Sequence, residues 1–596
     1  MCGIAGILHP QNFSTPLEQE LRNMQKMLLH RGPDDQGIWF SPLKRAGFVH
    51  TRLSILDLSD AGHQPMSLPD IPLTITFNGE IYNFRELRGS LEAKGIVFHT
   101  QTDTEVLLRL YQCHGEEMVA MLRGMFAFAI WDERSQSAFL ARDPFGIKPL
   151  YYHAGADGAL VFASELRALA RGSLVSREID RSAMLRYLKS GSVAEPATLL
   201  QDVRCLEAGH TLSWRRDGIK TRCYWKVGFE SAEIEAVEAA HLCRESLLDS
   251  VMAHFVSDVP VGIFLSGGID STVLLALATK LGHRGVSTFS VGVDDQALDE
   301  SGIASRTATF FGASHHELAM NSQLAEQSFA SYMESMDQPS VDGLNTFTVA
   351  AFARSQGMKV VLSGLGGDEF FGGYPSFQKI PRLVAMGKAA HAVPGLASLS
   401  SALLQSPLMP SRFRRLGAYL GGKPSVSSAY RAFRGIFSQR EAAGLVQAIT
   451  GSKEEIELPP AYEALDMANE ADAVSACEVS YYMRNQLLRD SDVMSMRHGL
   501  ELRVPFVDKV LFESISKIPS RFRIQAGKQL LLDAVPEVPD WVKNQPKRGF
   551  MFPFDKWLSE RWGNEFKDAA ALLPGTNPPW YQVWTVFMLQ QWLKAL

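Results

Sequence analysis

The sequence predicts two unlike lobes, an α+β lobe followed by an α/β lobe built on a doubly wound parallel sheet. Three observations in the 596-residue chain carry this expectation. Residues 2–210 read as short strands and turns with a few helices among them and no βαβ rhythm. From residue 240 onward apolar strands and helices alternate, as they do in parallel sheets with crossover helices. Two glycine-rich turns, at 266–271 and 363–374, each follow an apolar strand directly, and open α/β sheets bind ligands at that edge.

The elements follow in order. Residues 73–77, 126–131, 137–141 and 159–162 have strand composition, while Asn78-Gly79 and 143–146 have turn chemistry. Apolar residues recur at helical spacing over 16–29, 84–94 and 104–114. Residues 209–226 read as a terminal hairpin leading into the polar stretch 231–240. The expected division is therefore a first domain at 2–210, a hairpin and linker at 211–239, and a second domain at 240–596. The second domain opens with an amphipathic helix, then an apolar strand at 259–265, a glycine turn, a helical run at 272–281 and a strand at 286–291. Residues 385–410, rich in Gly, Ala, Ser and Pro, are compatible with either a helical hairpin or a loop.

Composition narrows the function classes. The chain is 46% hydrophobic and 21% charged with a net charge of −6, ordinary globular values that argue against nucleic acid as a main partner. Its six cysteines show no CxxC spacing, which points to neither a zinc site nor a disulfide framework and to a cytoplasmic location. No basic n-region precedes an apolar h-region, and no apolar run reaches the roughly 18 residues of a spanning helix, so no membrane partner is expected.

Two regions carry chemistry. The chain begins Met1-Cys2-Gly3-Ile4-Ala5-Gly6; removal of Met1 would leave one residue holding both a thiol and a free α-amine. An amine with an unperturbed pKa of about 7.7–8.0 can accept the thiol proton without a histidine partner. The second region is Ser266-Gly267-Gly268-Ile269-Asp270-Ser271, between an apolar strand and a helix. Its backbone N–H groups and the helix N-terminus suit a phosphate, Ser266 and Ser271 offer hydroxyls, and Asp270 offers an oxygen to Mg²⁺. It is not a Walker A loop. In the second turn Asp368 reads either as a metal ligand opposite Asp270 or as the cap of the next helix. His315-His316 reads as structural, because neighbouring strand residues point to opposite faces.

These motifs occur together with His30-Arg31-Gly32-Pro33-Asp34, the run from His50 to Ile55, Phe77 to Asn83, Thr102 to Glu105, Arg142 to Gly146, Asp492 to Met496 and Arg503 to Phe506. In order and spacing the whole chain resembles the glutamine-dependent asparagine synthetase family. The resemblance implies an N-terminal-nucleophile glutaminase lobe of the class II type and an ATP pyrophosphatase lobe of the PP-loop type. In the first, Cys2 would attack the glutamine amide, with Asn78 and Gly79 as oxyanion donors. Arg52 would hold the α-carboxylate of glutamine while Asp103 and Glu80 face its α-ammonium. In the second, Leu265, Ser266, Gly267, Gly268, Asp270, Ser271, Val291, Ser363 and Gly364 would surround ATP, with Asp270 and Asp368 on Mg²⁺. Lys547 falls where the family keeps a charge-neutralising lysine. The implied reaction adenylates a carboxylate, aspartate by family pattern, and displaces AMP with ammonia. Family members are commonly homodimers, so a homodimer is implied as well.

One departure stands out. The family usually carries an acidic residue after the Ser-Gly of the second loop, and this chain has Leu365, which neither accepts a hydrogen bond nor balances a cation. The acceptor could therefore be another carboxylate, such as a sugar uronate or a peptide acid. A silent glutamine or nucleotide sensor is a third reading, disfavoured because a sensor needs neither the thiol nor the metal aspartates.

Overall fold

A computed structural model describes residues 2–12, 15–295, 298–406, 408–454, 456, 467–545, 552–553, 556–557, 566–574 and 578–596. Strand β1 (Cys2–Leu8) runs between β3 (Ala46–Arg52) and β9 (Leu160–Ala163) in an antiparallel sheet of order β10-β8-β9-β1-β3-β2, completed by β2 (Asp35–Phe40), β8 (Tyr151–Ala154) and β10 (Arg204–Cys205). A second antiparallel sheet of order β12-β11-β7-β6-β5-β4 holds β4 (Met66–Ser67), β5 (Leu73–Ile81), β6 (Gly124–Asp132), β7 (Ser137–Arg142), β11 (His210–Arg215) and β12 (Gly218–Cys223).

Period-two alternation stacks these sheets. Ile4 and Leu8 of β1 join Phe48, Ala127, Ala129, Trp131 and Leu140 in a core between them, while Ala5 and Ile7 face the helix Thr15–Leu28 on the outer side. The helices Phe84–Glu92 and Asp103–His114 cover the outer face of the second sheet. The first lobe is thus a four-layer sandwich, helix, sheet, sheet, helix.

One expectation is overturned here. Asn78 and Gly79 do not form a turn; they lie inside β5, opposite Ala127 and Phe126 of β6. Gly79 serves close strand approach, since a Cβ there would lie 2.1 Å from the Met125 carbonyl oxygen. The hairpin β11–β12 pairs through β11 with β7, so it extends the first lobe's sheet.

The second lobe contains a parallel sheet of order β15-β14-β13-β16-β17, made of β13 (Val261–Phe264), β14 (Ser287–Val293), β15 (Ser314–Met320), β16 (Val360–Leu362) and β17 (Glu501–Arg503). The chain steps outward from β13 to β14 and β15, then returns to β16 on the other side. That reversal makes a crevice between the carboxyl ends of β13 and β16, where the two glycine-rich turns emerge. The two histidines lie in β15: His315 bonds Thr288 at 2.9 Å and Ser290 at 3.1 Å, and His316 stacks on Phe289, so both serve the sheet. Residues 385–410 contain helix, the end of Ser376–Ala392 followed by Leu396–Leu404.

Candidate active sites

The first site forms where β1 starts. Cys2 pairs with Arg52 of β3 and is 7% exposed. Its backbone N–H donates to Asn78 Oδ1 at 3.0 Å. This bond directs the other end of the amide away, and Asn78 Nδ2, also buried, has no hydrogen-bond partner among the described residues. A buried donor without an acceptor is costly and uncommon, and here it stands beside a thiol. Burial pushes the Cys2 thiol pKa up, and the Arg52 guanidinium pulls against it.

Arg52 is fixed by the loop after β3, donating to the carbonyls of Ser59 at 3.0 Å, Leu56 at 3.2 Å and Asp57 at 2.5 Å. Asp103 accepts from the Ile81 N–H at 3.1 Å, and burial pushes its carboxyl up to about 6. Glu80 lies elsewhere in part: its Oε1 is 3.4 Å from Arg503 of the second lobe, and burial followed by the neighbouring Glu501 holds its carboxyl well above the usual range.

The second site lies at the switch point. Ile263 of β13 pairs with Leu362 of β16, so the turns after these strands leave side by side. Leu265 is buried and donates its N–H to the Phe289 carbonyl at 2.9 Å, and Ser363 donates to the Arg503 carbonyl at 2.9 Å. Val291 is buried in β14 beside them. The serine hydroxyls shape the first loop: Ser266 Oγ lies 3.0 Å from Ser271 Oγ and accepts from the Gly268 N–H at 3.2 Å. Gly364 permits the two loops to touch, because a Cβ there would be 2.9 Å from both the Asp270 Cβ and the Ser271 nitrogen.

Asp270 and Asp368 do converge, and the cation between them is a lysine the sequence does not announce. Lys528 Nζ is 2.6 and 2.5 Å from the two Asp270 oxygens and 2.5 Å from Asp368 Oδ1. Asp368 lies within the first turn of the helix Gly367–Phe371, after its N-cap Gly366, so the helix-cap alternative does not describe it. Lys528 itself adopts φ 58°, left-handed for a non-glycine residue. Two carboxylates already gathered around one hard cation suit Mg²⁺ brought in on a phosphate chain. Among the described residues no group of three His, Cys, Asp or Glu forms a closed metal cage. Leu365 is half-buried against the apolar cluster of this lobe, and Lys547 lies outside the described residues.

The first site is tied to the second lobe by buried charge. Arg31, with no exposed surface, donates Nε to the Cys2 carbonyl at 3.1 Å, Nη1 to Glu165 at 3.0 Å and Nη2 to Asp492 of the second lobe at 2.7 Å. Lys148 adds a contact to Asp492 at 3.3 Å. Arg31 and Asp492 fall inside runs that carry the family resemblance, yet nothing in the sequence shows that they touch.

Comparison with known proteins agrees with this two-lobe architecture. Residues 1–225 match a glutamine amidotransferase domain and residues 242–578 match the asparagine synthase family. Asparagine synthetase [glutamine-hydrolyzing] 1 of Bacillus subtilis (strain 168) is 36% identical over 94% of this chain and 88% of its own length. A putative asparagine synthetase [glutamine-hydrolyzing] of Mycobacterium tuberculosis (strain ATCC 25618 / H37Rv) is 33% identical over the same shares. The amidase chry2 of Gibberella zeae (strain ATCC MYA-4620 / CBS 123657 / FGSC 9075 / NRRL 31084 / PH-1) is 28% identical over 94% of this chain and 90% of its own. With an antiparallel sandwich joined to a parallel sheet whose switch point gathers two acidic glycine-rich loops, the chain belongs to the asparagine synthase family and is a glutamine-hydrolysing ligase.

Proposed function

We propose that this ligase hydrolyses glutamine at Cys2 and passes the ammonia to an acyl-adenylate formed from ATP and a carboxylate. Aspartate is the acceptor, and asparagine, AMP, pyrophosphate and glutamate are the products. The observation that carries the reading is the pairing in one chain of two centres: Cys2 beside an Asn78 whose buried Nδ2 has no partner among the described residues, and two aspartates around one cation at a sheet switch point.

At the first centre, Cys2 Sγ attacks the side-chain carbonyl carbon of glutamine. The α-amine exposed by removal of Met1 takes the thiol proton and hands it to the leaving ammonia; water then cleaves the γ-glutamyl thioester. Asn78 Nδ2 and the Gly79 N–H stabilise the oxyanion. Arg52 holds the substrate α-carboxylate and Asp103 its α-ammonium. Glu80 acts on that ammonium from a position shared with Arg503.

At the second centre, a carboxylate oxygen attacks the α-phosphorus of ATP and pyrophosphate leaves. Ammonia then attacks the acyl carbon and AMP leaves. The N–H groups of 266–271, with Leu265, Val291, Ser363 and Gly364, hold the nucleotide. Asp270 and Asp368 would hold Mg²⁺, which neutralises phosphate charge when bound. Lys547 is assigned the same electrostatic task.

A second reading keeps this machinery and changes the acceptor. It rests on Leu365, apolar and packed against the lobe's hydrophobic cluster where the family keeps an acid. The test is pyrophosphate release from ATP and glutamine with aspartate and with a panel of uronic and peptide acids. Aspartate-dependent release with formation of asparagine is expected. Release with another acid and none with aspartate would replace the acceptor, and release with no acid would end the ligase mechanism. Leu365→Glu is expected to leave aspartate turnover equal or higher; a fall of about tenfold or more would instead indicate a pocket that cannot partner a buried charge.

A further inference from the structure

Between Glu369 and Glu441 the chain contains no acidic residue, yet residues 370–440 hold ten lysines and arginines. In a protein of net charge −6 this is a strong local inversion. The segment follows the second glycine-rich loop and begins with the helix Ser376–Ala392. Lys379, Arg382 and Lys388 of that helix are exposed, as are Arg412 on the helix Ser411–Leu420 and Lys423 beyond it. Lys388 shares Glu470 at 2.9 Å.

Between these helices lies Leu396–Leu404, which turns Ala397 and Leu404 toward the apolar cluster of this region and its other leucines outward. Leu396, Leu399 and Leu403 occupy one face at helical spacing and point to solvent, with Leu399 60% and Leu403 61% exposed. The inward face carries Ser401, buried and bonded to Gln405 at 2.7 Å. Gly417 of the next helix and Gly421 at its C-cap allow that close packing, since a Cβ at either would clash with Leu404 or Ser401. Val393 precedes the helix and Leu408 follows it, both exposed, Leu408 at 94%. Apolar patches of this kind, rimmed by polar groups, mark interaction sites.

We propose that this basic, leucine-tipped face docks the enzyme on an anionic lipid bilayer. The leucines enter the headgroup region and the exposed lysines and arginines of the adjoining helices meet lipid phosphates, the division of labour of an interfacial amphipathic helix. Charge complementarity selects this occupant. A second copy seated face to face would set the same cationic rim against itself, which opposes an isologous contact. Nucleic acid would satisfy the cations and leave the leucines in water. Docking does not require a spanning segment: among the described residues no helix is long and apolar enough to cross a membrane, and a nine-residue helix lies in the plane of the interface. The sequence expectation of no membrane partner rests on the absence of a spanning run, which says nothing of such a face.

The test is sedimentation of the full-length protein with vesicles of phosphatidylcholine alone and of phosphatidylcholine mixed with phosphatidylglycerol, at low and high salt. At least about tenfold more protein is expected on the mixed vesicles, with loss at high salt. The variant L399S/L403S/L408S should lose that binding while retaining glutamine hydrolysis, which certifies its fold. Equal binding to neutral vesicles, no binding to either, or undiminished binding by the variant would overturn the proposal. So would light scattering that shows a wild-type dimer falling to monomer in the variant, since the face would then belong to a second copy.

Discussion

Asn78 illustrates how one side chain can organise a site with both of its ends. Its oxygen anchors the Cys2 nitrogen, and its nitrogen is left as a buried donor with no acceptor among the described residues. Replacing Asn78 with Ala is expected to lower kcat for glutamine hydrolysis by about 10²–10³-fold, the usual cost of an oxyanion donor. Cys2→Ala should abolish that hydrolysis while amide synthesis from added ammonium continues, because the second centre has its own residues; glutamate release and ammonium-dependent pyrophosphate release measured separately would decide it. Asp103 supplies a pH signature. Its carboxyl titrates near 6 because burial disfavours the charge, so below that pH it is neutral and loses its hold on an ammonium group. KM for glutamine should therefore climb as pH falls through about 6, and Asp103→Asn should show a high KM with that rise removed.

At the scale of elements, the informative object is the pair of loops that β13 and β16 deliver to one crevice. Two carboxylates and one ammonium give the Asp270, Asp368 and Lys528 cluster a net charge of −1. Converting either aspartate to Asn leaves a neutral pair, so Asp270→Asn and Asp368→Asn are expected to fold normally and still hydrolyse glutamine while adenylation collapses. Removing the lysine is different. Lys528→Met leaves two carboxylates facing each other without a counter-charge, a loss of about 3–5 kcal/mol by comparison with other broken buried pairs. Millimolar Mg²⁺ should recover part of the lost Tm in that variant and leave the wild-type Tm nearly unchanged; no recovery would mean that the carboxylates do not form a cation site. Gly373 guards the same geometry, since a Cβ there would fall 1.8 Å from Asp368 Oδ1 and 2.6 Å from Lys528 Cε.

Across the whole molecule a buried electrostatic seam ties the first centre to the second lobe. Arg31 ties the Cys2 carbonyl to Asp492, a residue of the synthetase lobe, and Glu165 and Lys148 complete the charge balance. Both Asp492 and Glu165 hold the Arg31 guanidinium firmly protonated against the cost of burial. Asp492→Asn would leave two buried cations with one carboxylate, so a fall in Tm is expected. Because Arg31 bonds directly to Cys2, the same substitution should also lower kcat for glutamine hydrolysis by about tenfold with little change in KM, and Asp492→Glu should restore part of it. Unaltered hydrolysis in a folded Asp492→Asn protein would show that the seam is purely structural.

What the sequence determined by itself is whatever depends on neighbours along the chain. Strand composition, helical spacing and the turns after two apolar strands predict both lobes, and Cys2, Asp270 and Asp368 stand in motifs short enough to recognise. Tertiary structure decided the rest. Asn78-Gly79 has the composition of a turn and becomes strand because β6 pairs with it along its length. Lys528 meets Asp270 across 258 positions and Arg31 meets Asp492 across 461; no local pattern encodes such contacts. Leu396, Leu399 and Leu403 stand at helical spacing and would ordinarily face a core, and here they face outward, because Leu404 and Ser401 take the packed side against Gly417 and Gly421. Periodicity reports that a helix has an apolar face, but which way that face turns depends on the shape of the elements it packs against.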